Sequence, residues 1–149
     1  MTNASSSNLN GRILLLDDNS LGLSARRSVL EELGHKVTTS GAPQDALELC
    51  AKQRFDLVVT DYKMPKMNGV EFITRLRKQN PAVAVILISG FTDTLGLNEA
   101  NTGADVVIQK SSHEVTHLIR SVNRLLRNLR QPPRKPTGSQ GKNEKRKAK

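Results

Sequence analysis

The chain has 149 residues, with 23 Lys and Arg against 14 Asp and Glu, a formal net charge of +9. That length suits one domain with a core of its own, the single cysteine, Cys50, excludes an internal disulfide framework and suits a reducing compartment, and an aromatic content of 3% leaves little for stacking single-stranded nucleic acid. No apolar run reaches the roughly 18 residues needed to cross a bilayer and residues 1–10 lack an apolar signal core, so a cytoplasmic chain without membrane insertion is expected.

The charge is placed unevenly. Residues 131–149 hold seven basic residues, one acidic residue and three prolines, a composition that cannot bury enough apolar surface to offset its ordering entropy. A basic disordered tail is expected there, with a shorter disordered end at 1–10. The body, 11–130, is then one mildly basic domain.

In chain order, the body alternates short apolar runs with helical patterns. Arg12-Ile-Leu-Leu-Leu16 is an aliphatic run that stops at Asp17-Asp18-Asn19. A helix is expected from Ser20 to Leu33, closed by Gly34, followed by a β-branched strand at Lys36–Thr39. Pro43 to Lys52 reads as a helix with proline in its first turn. Phe55 to Thr60 is a strand ending at Asp61, and Val70 to Lys78 a helix. Val83 to Ile88 is a strand ending at Ser89-Gly90, followed by a weak helical stretch around Thr94 to Ala100. Asp105 to Gln109 is a strand ending at Lys110. The last helix is expected from Ser112 to Arg130, with Val115, Leu118, Ile119, Val122, Leu125, Leu126 and Leu129 on its apolar face and a capping box at Ser111 and Glu114. Apolar runs without polar alternation suit strands covered on both faces. The order predicts a flavodoxin-like, doubly wound α/β fold: a five-stranded parallel sheet with helices on both faces.

In such sheets ligands bind at the carboxyl ends of the strands. Those ends carry Asp17, Asp18, Asp61, Ser89 and Lys110. An Asp alone there reads as well as a turn former or a helix cap, and a lone Ser or Lys says little; together they put acid, acid, hydroxyl and ammonium, in that order, on the ends of the first, third, fourth and fifth strands. Clustered carboxylates favour a hard cation such as Mg²⁺. A carboxylate is also a nucleophile toward phosphorus, giving an aspartyl-phosphate, and Ser89 and Lys110 could stabilise the charged oxygens during transfer.

The stretch Asp61-Tyr-Lys-Met-Pro-Lys-Met-Asn-Gly69, with Asp17-Asp18-Asn19, Ser89-Gly90 and Lys110, resembles the receiver domain of two-component response regulators over about residues 11–130. The resemblance implies that Asp61 accepts a phosphoryl group from a sensor histidine kinase or a phosphotransfer protein. It also implies Mg²⁺ ligation by Asp18, Asp61 and the Lys63 backbone carbonyl, with Asp17 holding a metal-bound water, and phosphoryl contacts from Ser89 and Lys110. Two positions depart from the family pattern: Val107 stands where an aromatic switch residue is usual, and Ser111 where proline is usual.

A stand-alone, chemotaxis-regulator-like receiver is therefore expected, a signalling domain that catalyses only its own phosphorylation and dephosphorylation. It would act on an unknown downstream protein, by analogy through its fourth and fifth helices. The row Arg120, Arg124, Arg127 and Arg130 on the outer face of the fifth reads first as a solvated face and could also meet an acidic partner. The alternative is a phosphorylation-gated binder of nucleic acid or another polyanion through the basic tail. A phosphatase using an aspartyl-phosphate would need a second Asp two residues after the nucleophile, where Lys63 stands. Phe91 and Lys63 are expected to flank the approach of hydrolytic water.

Overall fold

The computed structural model describes residues 10–90 and 95–130. The expected tail at 131–149, the end at 1–9 and Phe91 lie outside the described residues.

Five strands form one sheet: β1 (Arg12–Leu16), β2 (Lys36–Ser40), β3 (Leu57–Asp61), β4 (Ala84–Ser89) and β5 (Val106–Gln109). All pairings are parallel and the spatial order is β2-β1-β3-β4-β5. The order reverses beside β1, so β1, β3 and β4 are central neighbours and their carboxyl ends open on one edge. The helices lying wholly within the described residues are α1 (Ser20–Glu32), α2 (Pro43–Lys52), α3 (Gly69–Gln79), α4 (Glu99–Thr102) and α5 (Glu114–Arg130). No helix among the described residues is long and apolar enough to cross a membrane.

The aliphatic runs are continuous because alternate residues serve opposite faces of the sheet. Ile13, Leu15, Leu57, Val59, Ile86 and Ile88 pack with Leu30 of α1 and with Leu118, Val122 and Leu126 of α5. Their neighbours Leu14, Leu16, Val58, Val85 and Leu87 pack on the other side with Ala46 and Leu47 of α2 and with Phe72, Ile73 and Leu76 of α3. A one-residue slip of β1 or β3 would exchange the two sets, so the cores that fix the register also fix where Asp17 and Asp61 emerge.

Most element ends fall within one or two residues of expectation. Gly34 ends α1 at φ 98 as anticipated. Three expectations need correction. The helix foreseen around Thr94 to Ala100 is interrupted: Leu95 is helical, residues 96–98 are not, and a single turn follows at Glu99–Thr102, capped by Asn98 and Asn101, while Thr94 lies outside the described residues. On α5, Val115 and Leu129 are exposed, because they lie in the first and last turns of the helix, beyond the stretch from Leu118 to Leu126 that packs on the sheet. The capping box at Ser111 and Glu114 does not form: the Ser111 hydroxyl accepts from His113 N–H at 3.1 Å, and the Glu114 carboxylate is engaged elsewhere.

A capping box absent from the sequence-based expectations is present at Asn68 and Glu71. Asn68 Oδ1 accepts from Glu71 N–H, and Glu71 Oε1 accepts from Asn68 N–H, both at 2.9 Å. Arg77 clasps the far end of the fold, donating to the carbonyls of Pro81, Val83 and Gly103 and to Asp105 Oδ2.

Candidate functional site

Asp17, Asp61 and Ser89 are delivered by the carboxyl ends of the central strands β1, β3 and β4, and Lys110 by that of the outer strand β5. Asp17 directly follows β1, its N–H donating to the Ser40 carbonyl of β2 at 3.2 Å. Asp61 is the last residue of β3, opposite Ile88 of β4. Lys110 follows β5, its N–H donating to the Ser89 carbonyl at 2.9 Å. Asp17, Asp18, Asp61, Lys63, Gly90 and Lys110 line one open cleft of about 470 Å³. Ser89 ends β4, buried, with its neighbour Gly90 rather than its own side chain forming the wall.

Asp17, Asp18 and Asp61 each offer a carboxylate oxygen, and these oxygens all lie within 4.8 Å of one another. Asp17 and Asp61 are buried and Asp18 is exposed. The Lys110 ammonium lies 2.8 Å from Asp61 Oδ1. That contact is an ion pair out of line for a hydrogen bond, so this buried oxygen accepts no aligned hydrogen bond from the described residues. Burial raises the Asp61 carboxyl above the ordinary range; Lys110 pulls it back, the Asp17 carboxylate pushes it up again, and Arg26 opposes that.

The donor set fits a hard divalent cation. It consists of oxygens only, one of them buried without an aligned hydrogen-bond donor, in a cleft wide enough for several retained waters. Lys63, two residues after Asp61, lines the same cleft, so the position that a haloacid-dehalogenase-type acid/base would fill holds an amine.

The loop between β3 and α3 is tightly built. Lys66 has φ 74, and Met67 N–H donates to the Pro65 carbonyl at 2.8 Å, closing a three-residue turn. Gly69 N–H donates to the Tyr62 carbonyl at 2.7 Å, bringing the start of α3 against the end of β3.

Sequence reading missed Arg26. It lies on α1 yet is only 7% exposed, with Nη1 donating to Asp17 Oδ2 and Nε to Glu114 Oε2, each at 2.8 Å. Its only sequence signal was a cation on a helix that follows two aspartates. At the two departures from the family pattern, Val107 is half-buried with its N–H donating to Glu99 Oε2 at 3.0 Å, and Ser111 caps His113.

Sheet order, strand-end acids and a lysine beside the central aspartate define a receiver-type α/β domain. Residues 13–123 match the response regulator receiver domain family, and the chain belongs to it. A receiver domain of a Francisella response regulator superposes with TM-score 0.74 and 29% identity, covering 81% of this chain and all of that one. The Thermotoga maritima response regulator TrrA, solved in complex with Mg²⁺ and BeF, gives 0.69 and 26% over 76% of this chain and 97% of that one. Among curated proteins, a protein-glutamate methylesterase/protein-glutamine glutaminase of Anaeromyxobacter dehalogenans is 30% identical over 87% of this chain and 42% of its own length. The chain spans less than half the length of the curated relatives it matches.

Proposed function

We propose that Asp61 is the phospho-acceptor of this receiver domain, charged by a sensor histidine kinase or a phosphotransfer protein in a Mg²⁺-dependent reaction. The observation that carries the reading is the meeting of the buried Asp61 carboxylate with Asp17, Asp18 and the Lys110 ammonium in one cleft. An Asp61 oxygen attacks the phosphorus of a phosphohistidine; the new O–P bond forms as the N–P bond breaks, and the imidazole leaves with the electron pair. Lys110, 2.8 Å from Asp61, holds positive charge where the transferred oxygens arrive. Asp17, Asp18, Asp61 and the Lys63 carbonyl would hold Mg²⁺, which supplies charge neutralisation at the phosphoryl oxygens when bound. Ser89, at the end of β4, would donate its hydroxyl to the transferred group.

Phosphoryl entry and loss at Asp61 is the only reaction proposed for the domain, and its output is relayed by contact with a partner protein. The exposed Arg120, Arg124 and Arg127 on α5 would suit an acidic partner surface.

The test is incubation of the full chain with Mg²⁺ and acetyl phosphate, read by intact mass. The wild type should gain one phosphoryl group, while Asp61→Asn or chelation of the metal should abolish the gain. Equal gain in wild type and Asp61→Asn, or none in the wild type from acetyl phosphate and from a phosphorylated kinase, refutes the assignment.

A further inference from the structure

We propose that Arg26 is a positioning residue that ties divalent-cation occupancy of the acidic cleft to the first turn of α5. This rests on the reading above in one respect, that Asp17, Asp18 and Asp61 surround the cation.

Arginine is almost never buried unless it is paired, and Arg26 is paired twice. Its planar fork reaches Asp17 at the mouth of the cleft and Glu114 at the start of α5, both at 2.8 Å. Glu114 is 88 residues away in sequence, so one guanidinium pins the cleft to the last helix. The other Asp17 oxygen, Oδ1, accepts Asn19 N–H at 3.0 Å, leaving the Arg26 contact as the side-chain restraint on that carboxylate.

Two further observations show that the bridge is built in. Gly22 lies in the first turn of α1, and a Cβ there would come 3.0 Å from Asp17 Oδ2 and 3.8 Å from Arg26 Nη1. Glycine is what leaves space for the pair. Glu114, for its part, gives its carboxylate to Arg26 and not to the helix cap its spacing with Ser111 would allow. Burial works against the guanidinium's charge, but Glu114 and then Asp17 outweigh it, so Arg26 stays ionised.

The charge pattern sets the direction of the effect. Asp17, Asp18 and Asp61 face the cations Lys110 and Arg26. Removing Arg26 leaves the cleft more negative and more attractive to a divalent cation. Removing Glu114 does the opposite, since the guanidinium then bears on Asp17 alone. A cation that draws on Asp17 in turn frees the fork toward Glu114, and linkage makes this coupling reciprocal.

Isothermal titration of the full chain with Mg²⁺ tests this in wild type, Arg26→Met, Glu114→Gln and the double variant. Arg26→Met should bind Mg²⁺ about tenfold tighter and Glu114→Gln about threefold weaker, with Glu114→Gln having no effect in the Arg26→Met background. Mg²⁺ should shift the amide resonances of residues 112–116 in the wild type and not in Arg26→Met. Arg26→Lys keeps the charge but cannot span two carboxylates. It should stay within about threefold of wild-type affinity and lose its dependence on Glu114. Unchanged or weaker Mg²⁺ binding in Arg26→Met, or an equal Glu114→Gln effect with and without Arg26, overturns the proposal. If Arg26→Met does not fold, a Glu114→Gln effect that persists in Arg26→Lys overturns it. A wild-type chain that binds no Mg²⁺ instead refutes the phospho-acceptor reading, and this inference with it.

Discussion

Gly69 is the position where the geometry makes the sharpest demand on a side chain. It opens α3 directly behind β3, and a Cβ there would lie 2.5 Å from the Asp61 carbonyl oxygen, 2.8 Å from Leu87 Cδ1 and 3.0 Å from Tyr62 Cα. Two of these neighbours are backbone, and the third belongs to a fully buried residue in a central strand, so none can swing aside. Relief requires the start of α3 to move away from β3 by close to 1 Å, stretching the Gly69 N–H to Tyr62 carbonyl bond, now 2.7 Å. Overpacking of this kind costs about 1–3 kcal/mol, and the helix propensity gained by alanine returns less than about 1 kcal/mol at a helix end. Gly69→Ala should therefore lose about 2 kcal/mol, seen as a urea midpoint lower by roughly 1 M at unchanged m, or a Tm lower by about 8 °C. Gly90→Ala is the control: nothing lies within 4 Å of a Cβ there, so its stability should stay within about 0.5 kcal/mol of wild type. A Gly69→Ala midpoint equal to or above that of the wild type would refute the steric argument.

Three further outcomes follow from local chemistry. Asp61 has its carboxyl raised above the ordinary 3.8 by burial first of all, so above that pH the native chain binds more protons than the unfolded one. Its charge therefore lowers stability as pH rises from the ordinary carboxylate value through the folded one, and the loss persists at neutrality. Without divalent ions, Asp61→Asn should be the more stable form at pH 7 and converge on the wild type toward pH 4 in urea unfolding; no advantage at pH 7 sinks this. Lys66, held at φ 74, should gain about 1 kcal/mol on replacement by glycine, checked by thermal unfolding, where an unchanged or lower Tm counts against strain at that turn. Half-buried Cys50 has its thiol pushed up to about 11 by burial. It should react with iodoacetamide at pH 8 roughly a hundredfold more slowly than free cysteine and recover on unfolding in urea; fast labelling of the native chain would contradict this.

The sheet was legible in the sequence because each strand is a short aliphatic run cut off by a polar residue, and hydrophobic burial on both faces demands such runs. Asp17, Asp61 and Lys110 could be placed for the same reason, as each stands where a run ends. What the sequence concealed depends on partners distant in the chain. Arg26 sits beside Arg27 on a helix, a pattern that reads as solvent-facing, and only Glu114 and Asp17, brought in by the fold, make its burial tolerable. The Ser111–Glu114 spacing misled for that reason too: local spacing offers the carboxylate a backbone N–H, whereas the folded chain offers it a guanidinium. Val115 and Leu129 show the limit of periodicity, which marks an apolar stripe without giving the length of it that the sheet covers.

Strand β5 is the outermost on its side of the sheet, and the carboxylate of Glu99 takes up the Val107 N–H at 3.0 Å. An outer strand with free donors is a template on which another chain can add a sixth strand. Glu99 takes that donor with a side chain from a helix of one turn, so the short connector between β4 and β5 guards the edge strand it leads into against edge-to-edge pairing.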